Sequence, residues 1–291
     1  MRAAINYPRA QDDRFMTASL PRLPQRPADA HKGQFGRVQI IGGSIGMAGA
    51  PALAALAALR SGAGLVQVAC PREVRTAVAT LVPCATIGQF YEADKFNPTV
   101  RAVGPGCGDS LSTKDLKWIL SEGRTPVVID ADGLNVLAAI DDWWSQIDQN
   151  DVLTPHPGEM KRLLKKTSLD VTELKRPDLA REVARLCGGI VVLKGHETVV
   201  SDGEKSYVND TGNPGMATGG SGDVLSGMIA ALIGQGLLSY DAACVGVHVH
   251  GLAGDIAAKR FGPISLIATD IIDALPEAFR NYQGGARVDR S

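Results

Sequence analysis

The stretch Asn213-Pro-Gly-Met-Ala-Thr-Gly-Gly-Ser-Gly-Asp223 runs straight into the apolar segment 224–235, and its reading decides the fold. Its last five residues, Gly219-Gly-Ser-Gly-Asp223, place unshielded backbone N–H groups and one carboxylate at the start of a helix. A helix N-terminus carries orphan donors and the positive end of the dipole, so it gathers anionic charge. An acid is out of place in a site that only holds phosphate, because it repels its ligand. It fits a site where Asp223 takes a proton from a hydroxyl while the amides of Gly220, Ser221 and Gly222 hold a phosphoryl group. The stretch points to an enzyme that moves phosphate onto an alcohol, at least transiently.

Upstream of it the chain alternates. Apolar runs at 37–41, 65–69, 100–103, 127–129, 152–154 and 190–193 read as short buried strands. Helical patterns at 51–61, 113–122, 133–140, 159–164 and 177–187 separate them. This alternation predicts an α/β fold with a parallel sheet covered on both faces. Residues 198–208, with Asp202-Gly203 at the middle, read as a hairpin, and two long helices follow near 224–235 and 240–260. Residues 1–30 hold Pro8, Pro21, Pro24 and Pro27 and read as an extended arm or leader. No Gly/Ser-rich linker divides the body, so the expectation is one domain over 31–280 and a short tail over 281–291.

Composition narrows the class. A chain of 291 residues, 45% apolar and 21% charged, can bury a substantial core. With 30 basic against 31 acidic residues there is no positive field to attract nucleic acid. Five cysteines without a C-x-x-C pair suggest reduced thiols and a cytoplasmic protein. Residues 1–14 lack the apolar core of a secretory signal. The longest apolar run, 47–59, stops at Arg60 and is too short to cross a membrane.

Other glycine-rich or polar clusters fall at strand ends, where ligands bind in such folds. Ile40-Ile-Gly-Gly-Ser-Ile-Gly-Met-Ala-Gly-Ala-Pro51 lacks the G-x-G-x-x-G spacing of a dinucleotide site. It is either a tight turn or a loop touching substrate. Val103-Gly-Pro-Gly-Cys-Gly108 reads equally as a sharp turn or as backbone approaching a ligand. In Val127-Val-Ile-Asp-Ala-Asp-Gly-Leu-Asn135, Asp132 occupies an N-cap position, whereas Asp130 is a candidate for a polar role near metal or phosphate. In Leu153-Thr-Pro-His-Pro-Gly-Glu159, His156 is held rigidly between two prolines and Glu159 opens a helix, where an acid is favoured anyway. Both are functional candidates. In Val191-Val-Leu-Lys-Gly-His-Glu-Thr198, Lys194 and the backbone after Gly195 are placed to reach a nucleotide, a solvated turn lysine being the alternative. No P-loop pattern occurs. His248 and His250 read as packed helix histidines without the partners of a zinc site.

Together these residues resemble the ribokinase-like superfamily, with its C-terminal G-x-G-D anion hole and catalytic Asp. They are more closely similar to the ADP/ATP-dependent NAD(P)H-hydrate dehydratases. The likeness runs from about His31 to Leu275 and includes His31-Lys-Gly-Gln-Phe-Gly-Arg37, Gly42-Gly-Ser44, Gly49-Ala-Pro51, Gly104-Pro-Gly106, Asp130-Ala-Asp-Gly-Leu-Asn135 and Thr154-Pro-His-Pro-Gly-Glu159. Lys194-Gly-His-Glu-Thr198 and Gly219-Gly-Ser-Gly-Asp223 complete it. Sugar kinases of the superfamily usually carry Asn-x-x-Glu where this chain has His156-Pro-Gly-Glu159, which favours the dehydratase branch.

The resemblance implies a three-layer α/β/α sandwich with a mostly parallel central sheet. It also implies repair of hydrated NADH and NADPH: a nucleotide phosphorylates the C6 hydroxyl, and the phosphate then leaves. ADP (or ATP) is the implied co-substrate and Mg²⁺ the implied cofactor; bacterial-type members typically convert ADP to AMP. By position, Asp223 would be the base and Gly220, Ser221 and Gly222 the phosphoryl donors. Lys194, Gly195, His196, Glu197 and Thr198, with Gly222, would hold the nucleotide. Ala50, Gly106, His156 and Asp223 would meet the hydrated cofactor, and Glu159, assisted by Asp130, would organise Mg²⁺ through water. Relatives are commonly homotetrameric. Many carry an N-terminal epimerase domain, for which the residues before His31 leave no room, so epimerisation, if needed, would come from another chain. Two rivals remain: a small-molecule kinase, for instance of hydroxyethylthiazole, and a nucleotide sensor, which would have no use for the acid.

Overall fold

The computed structural model describes residues 20–89, 93–121 and 125–285. The apolar runs form strands β1 (Arg37–Ile41), β2 (Leu65–Ala69), β3 (Thr86–Gly88), β4 (Val100–Val103), β5 (Val127–Ile129), β6 (Val152–Leu153) and β7 (Ile190–Leu193). β8 (Val199–Ser201) and β9 (Ser206–Val208) make the expected hairpin. The sheet order is β3-β2-β1-β4-β5-β6-β7-β8-β9. Neighbours from β3 to β7 pair in parallel, and β8 and β9 close that edge antiparallel. β6 stops at Leu153 rather than at residue 154, because Pro155 has no N–H to continue the ladder.

Helices α1 (Gly49–Arg60), α2 (Arg75–Leu81), α3 (Ala93–Phe96), α4 (Thr113–Ser121), α5 (Asp132–Leu137), α6 (Pro157–Leu164), α7 (Arg176–Cys187), α8 (Ser221–Gly234), α9 (Ser239–Phe261) and α10 (Ala268–Gly285) cover the sheet. Successive strand side chains point to opposite faces. Val38, Ile40, Val68 and Ala102 therefore enter one core under α1, α8, α9 and α10, while Ile41, Ala69, Val103 and Ile129 enter the other under α4 to α7. The result is a three-layer α/β/α sandwich.

Small residues bring α1 and α8 close together in the first core. A Cβ added to Gly227 of α8 would fall 2.0 Å from the Ala54 carbonyl oxygen of the alanine-rich α1. This close approach sets where the first turn of α8 sits. Gly227→Val is expected to cost about 1–3 kcal/mol by overpacking, read as a lower denaturant midpoint with unchanged m.

Of the expected arm, residues 1–19 lie outside the described residues, as do 286–291 of the expected tail and Glu122 at the end of the helix expected over 113–122. From residue 20 onward the arm lies on the body. Leu20 and Leu23 pack on the core, and Arg26 lies 3.9 Å from the Phe35 ring centroid. The Tyr282 hydroxyl of α10 donates to the Pro21 carbonyl.

Candidate active site

The first turn of α8 lies at the carboxyl edge of the sheet. Gly220 precedes it at φ +91°, a left-handed conformation that favours glycine. A side chain there would also strike Leu53 of α1, whose Cδ1 lies 2.5 Å from the ideal Cβ position. The Val224 N–H bonds back to the Gly220 carbonyl at 3.1 Å, and the amides before it form the open end of the helix. The Ser221 N–H approaches the Thr218 carbonyl at 3.4 Å.

Asp223, on that first turn, is partly buried. Burial, reinforced by the charge of Asp130, pushes its carboxyl up to about 7 despite the opposing pull of Lys194. Asp132 and Glu159 add to the rise. These neighbours lie within a few residues of the ends of β5, β6 and β7, in the following loops or first helical turns, so Asp223 stands where several strand ends converge.

Lys194, just past β7, is the cation of the site. Its Nζ lies 2.5 Å from Asp130 Oδ1 and 3.8 Å from Glu159 Oε2. A Cβ on Gly222 would come within 3.3 Å of that Nζ, so glycine here lets the ammonium sit against the first turn of α8. Burial favours neutral lysine, but Asp130 and Glu159 outweigh it and hold Lys194 above its ordinary value. Asp130 is 1% exposed, and its Oδ2 accepts from Ser226 of α8 at 2.6 Å. Burial raises its pKa, yet Lys194 and Ser226 overcome this and leave the carboxyl below the usual range. Asp130 thus faces Lys194 and Ser226.

His156 and Glu159 cap α6 reciprocally. His156 Nδ1 accepts from the Gly158 N–H at 2.9 Å, and Glu159 Oε2 accepts from the His156 N–H at 2.7 Å. This is a capping box with imidazole in the place of a hydroxyl, and Pro157 at the first helical position supports it. It also explains why α6 starts earlier than expected. Burial raises the Glu159 carboxyl despite the counter-pull of Lys194.

A cleft of about 790 Å³ opens beside these groups. Lys194, Gly195, His196, Glu197, Thr198, Ser221, Gly222 and His156 all line it, so the expected nucleotide residues come together. Behind them Arg176 donates to the carbonyls of Leu193 and Lys194 at 2.9 and 3.2 Å and braces the strand end. Ala50 and Gly106 lie elsewhere, against each other: a Cβ on Gly106 would be 3.0 Å from the Ala50 Cβ. Ser44 Oγ donates to the Gly106 carbonyl at 2.9 Å, stitching the loops after β1 and β4. Ala50 is one turn before Leu53 on α1, and Leu53 meets Gly220, which connects this rim to the first turn of α8.

Asp132 differs from expectation, and His250, a packed helix residue as expected, has a further place. Asp132 is the first helical residue of α5 rather than its cap; Ala131, at φ +47°, precedes it, and Asp132 Oδ2 accepts from the Gly108 N–H at 2.8 Å. It pins the glycine loop after β4. His250, read as a packed helix residue, lines the cleft, with Nε2 3.4 Å from Ser221 Oγ, and burial pushes its pKa down to about 4, so it is neutral. His248 is satisfied by the Tyr207 hydroxyl at 3.1 Å.

The strand order, the glycine turn into α8 and the acid in its first turn define an enzyme of the ribokinase-like class. The chain belongs to the NAD(P)H-hydrate dehydratase family, whose model matches residues 38–277. It is 39% identical over 264 residues to the ADP-dependent (S)-NAD(P)H-hydrate dehydratase of Neisseria meningitidis serogroup B, covering 86% of each chain. It is 43% identical over 290 residues to the bifunctional NAD(P)H-hydrate repair enzyme Nnr of Moorella thermoacetica, covering 93% of this chain and 54% of that protein. The chain therefore spans about half the length of the bifunctional relatives it matches. The solved ADP/ATP-dependent NAD(P)H-hydrate dehydratase of Bacillus subtilis, co-crystallized with ATP/Mg²⁺, superposes with a TM-score of 0.77 at 30% identity, over 89% of this chain and 94% of that one.

Proposed function

We propose that this chain dehydrates the S form of hydrated NADH and NADPH, with ADP (or ATP) as phosphoryl donor. The observation that carries the reading is Asp223, a carboxylate with its pKa raised to about 7 at the open end of a helix, close to a cleft of nucleotide size. The family of the chain selects the hydrate over other alcohols.

Asp223 takes the C6 hydroxyl proton as the oxygen attacks the terminal phosphorus, a contribution of about 10²–10⁴ in rate. The bond from that phosphorus to its bridging oxygen breaks, and AMP leaves when ADP is the donor. The amides of Gly220, Ser221 and Gly222 steady the charge on the transferring group, about 10²–10³ for a well-placed donor. The ring nitrogen lone pair then expels phosphate from C6, and loss of the C5 proton restores the 5,6 double bond. Hydrate and ADP thus become reduced dinucleotide, AMP and phosphate.

Lys194 to Thr198 and Gly222 hold the nucleotide, and Ala50, Gly106, His156 and Asp223 meet the hydrate. No cluster of three or more His, Cys, Asp or Glu side chains forms a metal cage among the described residues. Mg²⁺ keeps several waters and is bound through one or two carboxylates plus substrate phosphates, a demand that the single Glu159 carboxylate beside His156 of the cleft can meet. Glu159 would hold it through water, and the ion would neutralise phosphate charge. Asp130 serves instead as the anchor of Lys194, through the 2.5 Å contact. A cytoplasmic homotetramer extends the same reading. No described helix is long and apolar enough to cross a membrane.

Purified protein given hydrated NADH, Mg²⁺ and ADP or ATP is expected to restore reduced-nicotinamide absorbance, releasing phosphate together with AMP or ADP. A stable phosphorylated alcohol in its place would make the chain a small-molecule kinase.

A further inference from the structure

The segment 209–218 supplies one wall of the cleft: Asn209, Thr211, Asn213, Pro214, Met216 and Thr218 all line it. The Met216 and Ala217 N–H groups bond back to the Asn213 and Pro214 carbonyls, both at 3.1 Å, and α9 holds the segment from behind. Thr211 Oγ1 donates to the His248 carbonyl at 2.8 Å. Further along α9, Asp255 grips the loop with both oxygens. Oδ2 accepts from the Gly212 N–H at 3.0 Å and Oδ1 from the Asn213 side-chain amide at 2.9 Å. Asn213 in turn caps the short turn Pro214–Met216 by accepting from the Gly215 N–H at 3.0 Å.

Two glycines inside α9 make the contact possible. A Cβ on Gly251 would lie 2.1 Å from Thr211 Oγ1, and one on Gly254 2.2 Å from Met216 Sδ. Glycine weakens a helix interior, so its presence at both contact points marks a surface shaped to carry this loop. Two donors must be satisfied at once, one main-chain N–H and one side-chain amide. A carboxylate offers two acceptor oxygens for this, whereas an amide offers one. Asp255 is not itself in the cleft lining, so it acts through Gly212 and Asn213.

The cleft has two characters. Lys194, Ser221 and Gly222 suit phosphates, while Pro214, Met216, Leu225 and Val247 form an apolar part suited to a flat ring. We infer that Asp255 is a positioning residue that fixes the 212–216 wall against the base of the bound nucleotide and so sets nucleotide affinity rather than the rate of chemistry. The inference rests on the nucleotide reading of this cleft given above.

The test is ADP titrated into the full chain by calorimetry, followed by steady-state kinetics. Absence of ADP binding to the wild type overturns the nucleotide reading itself and the inference with it. Given wild-type binding, Asp255→Ala is expected to raise the ADP Kd about ten- to a hundredfold. The KM for ADP should rise in step, with kcat at saturating ADP within about threefold of wild type. Asp255→Asn keeps one acceptor and should fall between. Asn213→Ala removes the partner, so adding Asp255→Asn to it should cost less than Asp255→Asn costs alone. The inference is overturned by an ADP Kd within about twofold of wild type in the Asp255 variants, by a loss confined to kcat, or by fully additive losses with Asn213→Ala. Should Asp255→Ala fail to fold, Asp255→Asn and Asn213→Ala decide by the same criteria.

Discussion

Asp223→Asn is expected to lower kcat by about 10²–10⁴ while ADP still binds, because the amide keeps the shape of the first turn of α8 but cannot take a proton. The pH dependence makes the test specific. Burial and the neighbouring Asp130 push the Asp223 carboxyl up to about 7. A base works only when unprotonated, so wild-type kcat/KM should climb about tenfold per pH unit below that value and level off above it. In the Asn variant that rise should vanish. Stability should move the other way. A folded-state pKa above the ordinary 3.8 means that ionised Asp223 is tolerated less well in the fold than in the unfolded chain. Its contribution is present at low pH and is lost as pH rises between about 4 and 7. Asp223→Asn should therefore raise Tm, and by more at pH 8 than at pH 5. Turnover within about tenfold of wild type, or an unchanged pH profile, would remove Asp223 as the base.

What could be read beforehand depended on how each residue's signal is written. β5 and β7 are buried on both faces and wholly apolar, so they stand out, while β1 and β4 carry the buried polar residues Gln39 and Arg101 within otherwise apolar runs. β3 is only Thr86–Gly88 at the sheet edge and carries no such run. α2 is short, and α10 contains Pro276, which disguises a helix whose Ile271, Ile272, Leu275 and Ala278 are buried. α10 also continues to Gly285, across the boundary expected near residue 280. At the site, His156 and Lys194 to Thr198 were legible as cleft residues because each sits within a few residues of a strand end. Partners brought from distant elements were silent: Ser226 reaches Asp130 across 96 positions, and Asp255 reaches Gly212 across 43. One trace of the second was present, since Gly251 and Gly254 inside a long helical pattern signal close backbone approach. His156 was marked for its rigidity, and the capping box supplies a structural reason for that rigidity alongside its place in the cleft.

Lys194→Met is expected to lose about 3–5 kcal/mol of stability, because it leaves the Asp130 carboxylate buried without its cation. Asp130 is 1% exposed and Lys194 Nζ is its 2.5 Å partner, so no solvent is at hand to take over. The loss should appear as a lower denaturant midpoint with unchanged m. Turnover should fall as well, but instability alone could produce that. The double variant Lys194→Met/Asp130→Asn separates the two effects. Replacing both members of a buried pair by neutral groups is often close to neutral in stability, and the side-chain amide introduced by Asp130→Asn can still accept from Ser226. Stability should therefore largely return. Turnover should not, because the cation that lines the cleft beside Gly222 stays absent. If the double variant recovered both, Lys194 would be only a structural counter-ion to Asp130. If the single variant were as stable as wild type, the buried pair would not be charged. Between those outcomes lies the expected one, in which a single ammonium satisfies a buried carboxylate on one side and presents positive charge to the nucleotide on the other.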